Sequence, residues 1–147
     1  MFRGNHPTRI DDKGRLKVPA DFKREIEEKF TNQTFYVTSF NGKDARLYPM
    51  EEWERFEAKL AALPSLNPTR QKLLNVSNYY GQVAEMDSQG RVTIPGLLRE
   101  AAEIKGEVAV MGFLQYLVVR NADLLKKEIE QNPFTAEDEK TLSDLGI

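Results

Sequence analysis

The sequence predicts a mixed α+β fold, rich in short strands, built from two copies of one unit. Three observations carry this. The phrase DDKGRLKVPADF, starting at Asp11, returns as DSQGRVTIPGLL, starting at Asp87. After the glycine of each phrase, apolar and polar residues alternate, which is the period of a half-buried strand. Each phrase then passes through a proline into a stretch whose apolar residues recur at helical spacing. A repeat of this kind governs the fold, because each copy is one structural unit.

Aligning Asp11 with Asp87 places Gly14 on Gly90, Arg15 on Arg91, Leu16 on Val92, Val18 on Ile94, Pro19 on Pro95 and Phe22 on Leu98. Each copy opens with a short strand, around Thr8–Ile10 and Gln82–Met86. The turn D-x-x-G-R follows. Its glycine supplies the positive φ that a tight bulged hairpin requires. Next comes a strand, with Leu16 and Val18, or Val92 and Ile94, on one face. Pro19 and Pro95 suit a first helical position, where no N–H is needed. In ADFKREIEEKF, Phe22, Ile26 and Phe30 stand four apart. In GLLREAAEI, Leu97, Leu98, Ala101, Ala102 and Ile104 are expected toward the core.

β-rich sequence follows in both copies. The first has TFYVTSF, the turn NGKD and ARLYP, where Asn41-Gly42 is a strong hairpin signal. The second has GEVAVMGF and QYLVVR with a tighter connection. A helix closes each unit. EEWERFEAKLAAL puts Trp53, Phe56, Leu60 and Leu63 at helical spacing. NADLLKKEIEQ does the same for Leu124, Leu125 and Ile129, with Asn121 or Asp123 as N-cap. Between the copies, Pro64 and Pro68 end the preceding helix, and Thr69 is a candidate cap for a helix carrying Leu73, Leu74 and Val76. In the tail, Thr135 and Asp138 mark the start of a short helix ended by Gly146, or a frayed end.

The expected organisation is a first repeat at 1–63, a connector at 64–81, a second repeat at 82–131 and an acidic tail at 132–147. Units of this size are marginal alone. Two copies sharing a sheet or core solve that problem, so the chain makes its own pseudo-dimer.

With 40 % apolar and 30 % charged residues, the composition suits a globular domain. No apolar run approaches a membrane span, the N-terminus lacks the apolar stretch of a signal peptide, and there is no cysteine. The expectation is a cytoplasmic protein. Net charge is −2, but its distribution is uneven. Residues 1–24 carry seven cations (Arg3, Arg9, Lys13, Arg15, Lys17, Lys23, Arg24) against three aspartates (Asp11, Asp12, Asp21), a local balance of +4. The residues from Arg120 onward carry four cations against seven acids, a balance of −3. The basic end suits an anionic partner and the acidic end suits solvent.

Catalytic chemistry finds little material. His6 is the one histidine, beside a proline near the terminus, and no metal, nucleotide-loop or nucleophile motif occurs. Asp12 matches Ser88, so the Asp11-Asp12 carboxylate pair is not part of the repeat. An enzyme, a metal and a cofactor are not expected.

The repeated polar feature is Asp-x-x-x-Arg around the turn, and two readings of it stay open. In one, the aspartate and arginine only pin the hairpin. In the other, the aspartate aims the guanidinium fork at a guanine edge or a phosphate. Lys13 and Lys17 flank the first turn; Ser88, Gln89 and Thr93 flank the second. All can bond phosphates or bases. A two-stranded ribbon can enter a DNA major groove, and Arg3 and Arg9 are candidates for phosphate contacts.

The opening MFRGNHPTRIDDKGRLKVPADF, the pairs Asp11…Arg15 and Asp87…Arg91, and the segments LYPMEEWERFE and NYYGQVAEMDSQGRVTIP resemble the MraZ family of bacterial transcriptional regulators. That family lies within the SpoVT-AbrB-like, swapped-hairpin superfamily. The resemblance spans roughly residues 1–130. It implies two AbrB-type repeats intertwined into a swapped-hairpin β-barrel core with flanking helices. It implies double-stranded DNA as partner, bound through the D-x-x-x-R turns at short direct repeats upstream of the family's own cell-division and cell-wall gene cluster, which it represses. It also implies ring-like homo-oligomers, association with the nucleoid, and a neighbouring-gene methyltransferase as a further partner. Residue by residue, the motif carries over onto Asp11, Gly14, Arg15, Asp87, Gly90 and Arg91. Arg3, Lys13, Lys17 and Gln89 join as DNA-binding candidates by proximity.

Overall fold

A computed structural model describes the chain from Met1 to Ile147. The first repeat contributes β1 (Asn5–Ile10), β2 (Arg15–Lys17), α1 (Ala20–Lys29), β3 (Thr34–Thr38), β4 (Ala45–Pro49) and α2 (Met50–Ala61). A connector helix, α3 (Pro68–Tyr79), follows. The second repeat gives β5 (Gln82–Glu85), β6 (Arg91–Thr93), α4 (Gly96–Ala101), β7 (Gly106–Phe113), β8 (Tyr116–Asn121) and α5 (Ala122–Gln131), and α6 (Ala136–Asp144) ends the chain.

The eight strands form one antiparallel sheet in the order β5-β3-β4-β8-β7-β1-β2-β6. Its two end strands are joined by the second D-x-x-G-R turn, where the Asp87 N–H donates to the Arg91 carbonyl at 2.9 Å. The sheet is thereby nearly closed into a barrel, which leaves few strand edges open. Exchanging the two repeats maps this order onto itself. Each lead-in strand pairs with the other repeat: β1 lies on β7 and β5 on β3. The short strands after the turns pair with each other, β2 on β6, and β4 pairs with β8. Neither repeat can complete its sheet alone, which is the physical reason for the duplication.

The core follows the same exchange. Leu16 and Val92, Val18 and Ile94, Phe22 and Leu98, and Val37 and Val110 are all buried at equivalent positions. Enclosing a side chain of this size contributes about 1.5–3 kcal/mol, and only the joined repeats enclose them. α2 packs its Trp53 against Tyr36, ring centroids 4.5 Å apart, and against Tyr48 at 5.0 Å. No helix is long and apolar enough to cross a membrane.

Several local expectations change. Leu97 and Ala101 are exposed, whereas Leu98, Ala102 and Ile104 are buried. The two stripes are adjacent on a six-residue helix, and only one faces the barrel. α4 stops early because Glu103 turns left-handed, at φ 54°, and the Ile104 N–H donates back to the Arg99 carbonyl at 2.9 Å. Leu63 lies past the end of α2 and is exposed. The cap of α3 is Asn67, not Thr69: its side chain accepts from the N–H groups of Thr69 and Arg70, with Pro68 at the first helical position. The Asn41-Gly42 hairpin exists, but its loop runs over six residues between β3 and β4, tied by Ser39 Oγ accepting from the Gly42 N–H at 2.9 Å. The β7–β8 connection is the tight one, with Leu114 and Gln115 between paired Phe113 and Tyr116. Asn121 caps α5 through the Leu124 N–H, yet α5 buries none of its residues fully.

Candidate nucleic-acid interface

The two D-x-x-G-R segments fold identically, as turn 1 (Asp11–Arg15) and turn 2 (Asp87–Arg91). In each, the glycine N–H donates to the aspartate carbonyl at 3.0 Å. The glycine is left-handed, with φ 82° at Gly14 and 75° at Gly90. This three-residue bulged turn brings the arginine back beneath its aspartate.

The aspartate then takes three bonds. Asp11 accepts the Lys13 N–H at 3.0 Å and the Arg15 N–H at 2.8 Å on one oxygen, and the Arg15 Nε–H at 2.6 Å on the other. Asp87 accepts the Gln89 N–H at 2.9 Å, the Arg91 N–H at 2.9 Å and the Arg91 Nε–H at 2.8 Å. The backbone N–H of the arginine is the main reason that both carboxyls titrate below the ordinary aspartate range; the arginine side chain and the second backbone N–H add to it, against some desolvation. Because the aspartate binds Nε, the two terminal NH2 groups of each guanidinium remain for an outside acceptor. The arginine side chains are 34 % and 26 % exposed, so they are held in place yet reachable.

The β2–β6 pair sets both turns on one surface. Arg15 lies opposite Thr93, and Lys17 opposite Arg91. Leu16 and Val92 point inward, so these four point outward. Directly opposed like charges such as Lys17 and Arg91 are unfavourable in an isolated sheet, and an anion over them removes the penalty. Gly14 and Gly90 are four strand residues apart in this register, ~13 Å.

Each turn is also held by the other repeat. The Val18 N–H donates to the Gly90 carbonyl at 2.9 Å and the Ile94 N–H to the Gly14 carbonyl at 2.8 Å. Two cations come across with these bonds. Arg99, on α4, lies against Gly14 so closely that a Cβ there would stand 2.6 Å from its Cζ, and it is fixed by its Nε–H to the Ile94 carbonyl at 3.0 Å. Lys23, on α1, is its equivalent at Gly90, 3.3 Å from a Cβ built there. Neither was singled out from the sequence as a site residue, although the repeat alignment puts Lys23 on Arg99. Around the two turns six cations (Lys13, Arg15, Lys17, Lys23, Arg91, Arg99) meet four acids (Asp11, Asp12, Asp87 and Glu27, which pairs with Lys23 at 3.6 Å), a net of two positive charges.

Of the residues proposed from the sequence, Asp11, Lys13, Gly14, Arg15, Lys17, Asp87, Gln89, Gly90 and Arg91 come together here. Arg3 does not. It precedes β1, whose far end runs into turn 1, and six residues of strand, ~20 Å, separate the two ends. Arg9 is exposed and paired with Glu107 at 3.3 Å.

Fold and site together define a class: a single-chain, pseudo-twofold β-barrel that presents two aspartate-held arginines on one basic surface. The chain matches the family described as "MraZ protein, putative antitoxin-like" over residues 1–76 and again over 82–145. It is 93 % identical over 147 residues to "Transcriptional regulator MraZ" of Koribacter versatilis (strain Ellin345), with 100 % of each chain covered. It is 54 % identical to the protein of that name from Acidobacterium capsulatum, again over 100 % of each chain. To that of Haemophilus influenzae (strain PittEE) it is 36 % identical over 114 residues, 78 % of this chain and 76 % of the relative. The chain belongs to the MraZ family. The second match reaches residue 145, so the likeness takes in α6.

Proposed function

We propose that this chain is a sequence-specific transcriptional regulator that binds double-stranded DNA through turns 1 and 2. The observation that carries the reading is the pair of guanidinium groups, each anchored through Nε with its outer NH2 groups available, on a strand pair where Lys17 faces Arg91. Arginine held this way suits bidentate contact with guanine or phosphate. Lys13, Lys17, Lys23 and Arg99 supply phosphate contacts around it. The relatives are named transcriptional regulators, in agreement with this class.

The finer reading follows the family resemblance. The chain represses its own cell-division and cell-wall gene cluster by reading short direct repeats upstream, acts as a ring-like homo-oligomer on the nucleoid, and has a neighbouring-gene methyltransferase as a second partner. Assembly suits the chemistry, because linked modules raise effective concentration over a series of repeats. The role is binding, without catalysis.

Fluorescence anisotropy with a duplex from upstream of its own gene, against a scrambled duplex over a salt series, tests this. Specific binding that weakens steeply with salt is expected. Arg15→Ala and Arg91→Ala should each lose about 1–3 kcal/mol of discrimination while changing fold stability by no more than about 1 kcal/mol, since these are partly exposed ion pairs. Equal, feeble binding to both duplexes, unchanged by either substitution, would instead make the protein an assembly module and the turns scaffolding.

A further inference from the structure

α6 is specified at both ends and covered by nothing. Thr135 and Asp138 form a full capping box at its start. At its end Gly146 is left-handed, at φ 88°, while the Ile147 N–H donates to the Leu142 carbonyl and the Gly146 N–H to the Ser143 carbonyl, both at 3.0 Å. That is the double-bonded glycine stop of a helix. A nine-residue helix is marginal in water without tertiary packing. Yet Phe134, Leu145 and Ile147 are 65 %, 73 % and 84 % exposed, and no residue of α6 is buried. Glu137, Glu139 and Asp144 have no ion-pair partner.

The body of the chain carries a surface of opposite character. A groove of about 970 Å³ runs between α1, α2 and the β3–β4 and β7–β8 hairpins, with aromatic walls that include Phe30, Phe40, Phe56 and Tyr116. Lys29 and Arg55 on its rim already hold Glu25 and Glu52. Lys59 is unpaired. The Arg46 guanidinium lies 4.0 Å over the Phe40 ring, faces Asp44 at 4.0 Å and donates to the Tyr48 hydroxyl at 3.0 Å. The groove has four cations (Lys29, Arg46, Arg55, Lys59) against two acids (Glu25, Glu52), whereas the tail from Pro133 has four acids (Glu137, Asp138, Glu139, Asp144) against one lysine, Lys140.

We infer that α6 of one chain docks in this groove of a second copy. Apolar side chains meet the aromatic walls, and the acids of α6 meet the unpaired Lys59 on the rim. The chain's own α6 stands away from its own groove, so each copy has one unmet ridge and one unmet groove. Exchanging them head to tail is a heterologous contact, of the sort that closes rings or extends filaments. The groove sits at the hairpin end of β7, eight residues of strand or ~25 Å from the end that meets turn 1, so docking leaves the basic surface free. This inference names the contact behind the assembly proposed above and rests on that assembly.

The chain has no cysteine, which permits a direct test in the full-length protein. Ala58→Cys, on the exposed groove rim, and Leu145→Cys, on the tail, are made singly with different tags, mixed and mildly oxidised. A disulfide-linked pair bearing both tags is expected, with its yield falling in high salt. Leu142→Asp added to the Leu145→Cys chain should abolish that link, and Leu142→Asp with Leu145→Asp in the cysteine-free chain should reduce the mass by light scattering to that of a single chain, with an unchanged far-ultraviolet circular dichroism spectrum. An assembled wild type that gives no mixed link overturns the docking and leaves the assembly standing. A monomeric wild type with no link overturns both. A link formed only within one chain, in the double-cysteine variant, assigns the groove to the chain's own tail and overturns the exchange.

Discussion

Asp11 and Asp87 hold their arginines through the same three bonds, yet what surrounds the two turns differs in charge and in rigidity. Turn 1 has Asp12, Lys13 and Lys17 along its length and the fixed Arg99 across it. Turn 2 has Ser88, Gln89 and Thr93 at the matching places and across it Lys23, which is paired with Glu27 and makes no bond to the turn. The aiming device is thus duplicated and the charge is not. Matched anchoring at Nε is what any two copies of one turn would keep. Two that read the same target equally would have matched flanks. The pattern fits two copies of one arginine holder, with turn 1 the more strongly electrostatic and turn 2 the more polar.

The largest difference should appear in stability when each glycine gains a methyl group. Both glycines are left-handed, which costs an alanine roughly 1–2 kcal/mol. At Gly14 the new Cβ also collides with Arg99 and forces it off the Ile94 carbonyl, a further loss of about 1 kcal/mol. At Gly90 the neighbour is the end of a lysine that can swing aside. Urea unfolding should therefore place Gly14→Ala about 2–3 kcal/mol and Gly90→Ala about 1–2 kcal/mol below wild type. Equal losses would mean that Arg99 is not a fixed cover.

That cross-repeat cover marks where the sequence stops being readable. The turn, its glycine and the passage from strand to helix at each proline are all local and were legible, although Pro19 and Pro95 stand at the N-cap rather than the first helical position. The Asp–Arg pairing was legible for the same reason. Which strand lies beside which was not, because alternation in Leu16–Val18 defines a strand and an inward face but not the partner. The exchange of β1 with β5 is a property of both repeats at once. Arg99 and Lys23 reach the turns only through it, so they were visible solely as two basic residues at one repeat position. Leu97 and Leu98 show the same limit on a smaller scale: both stripes were apolar, and the barrel, absent from local sequence, chose between them. Arg3 was grouped with the turns by sequence distance, and an extended β1 carried it away.

A smaller difference is expected in DNA binding from the cations that cross over. Arg99→Ala should weaken binding about tenfold and Lys23→Ala about threefold, because a guanidinium held on the backbone gives up less freedom on contact than an ammonium on a long stem that must also share itself with Glu27. Each should lower the slope of log affinity against log salt by about one. Anisotropy titrations at several salt concentrations measure both quantities. If Lys23→Ala is the more damaging, turn 2 carries the electrostatic share and the assignment of roles is reversed.

The smallest difference should be in how the two turns respond to acid. Both aspartates have folded values depressed below their unfolded ones, chiefly by the arginine backbone N–H. Sites of this kind contribute stability above the unfolded value, near pH 4, and lose it as pH falls through the depressed folded value. Both turns should therefore be fully held at pH 6 and let go together in strong acid, since their bonds match to within 0.2 Å. Carboxyl chemical shifts of Asp11 and Asp87 followed down the acid range would show two nearly superimposed titrations, both below the ordinary aspartate range. In Arg15→Ala only the Asp11 curve should move upward, and it should remain below the ordinary aspartate range, because the backbone N–H that does most of the work stays in place. An Asp11 curve that rises fully to the ordinary aspartate range would show that the guanidinium organises the turn, rather than the turn organising the guanidinium.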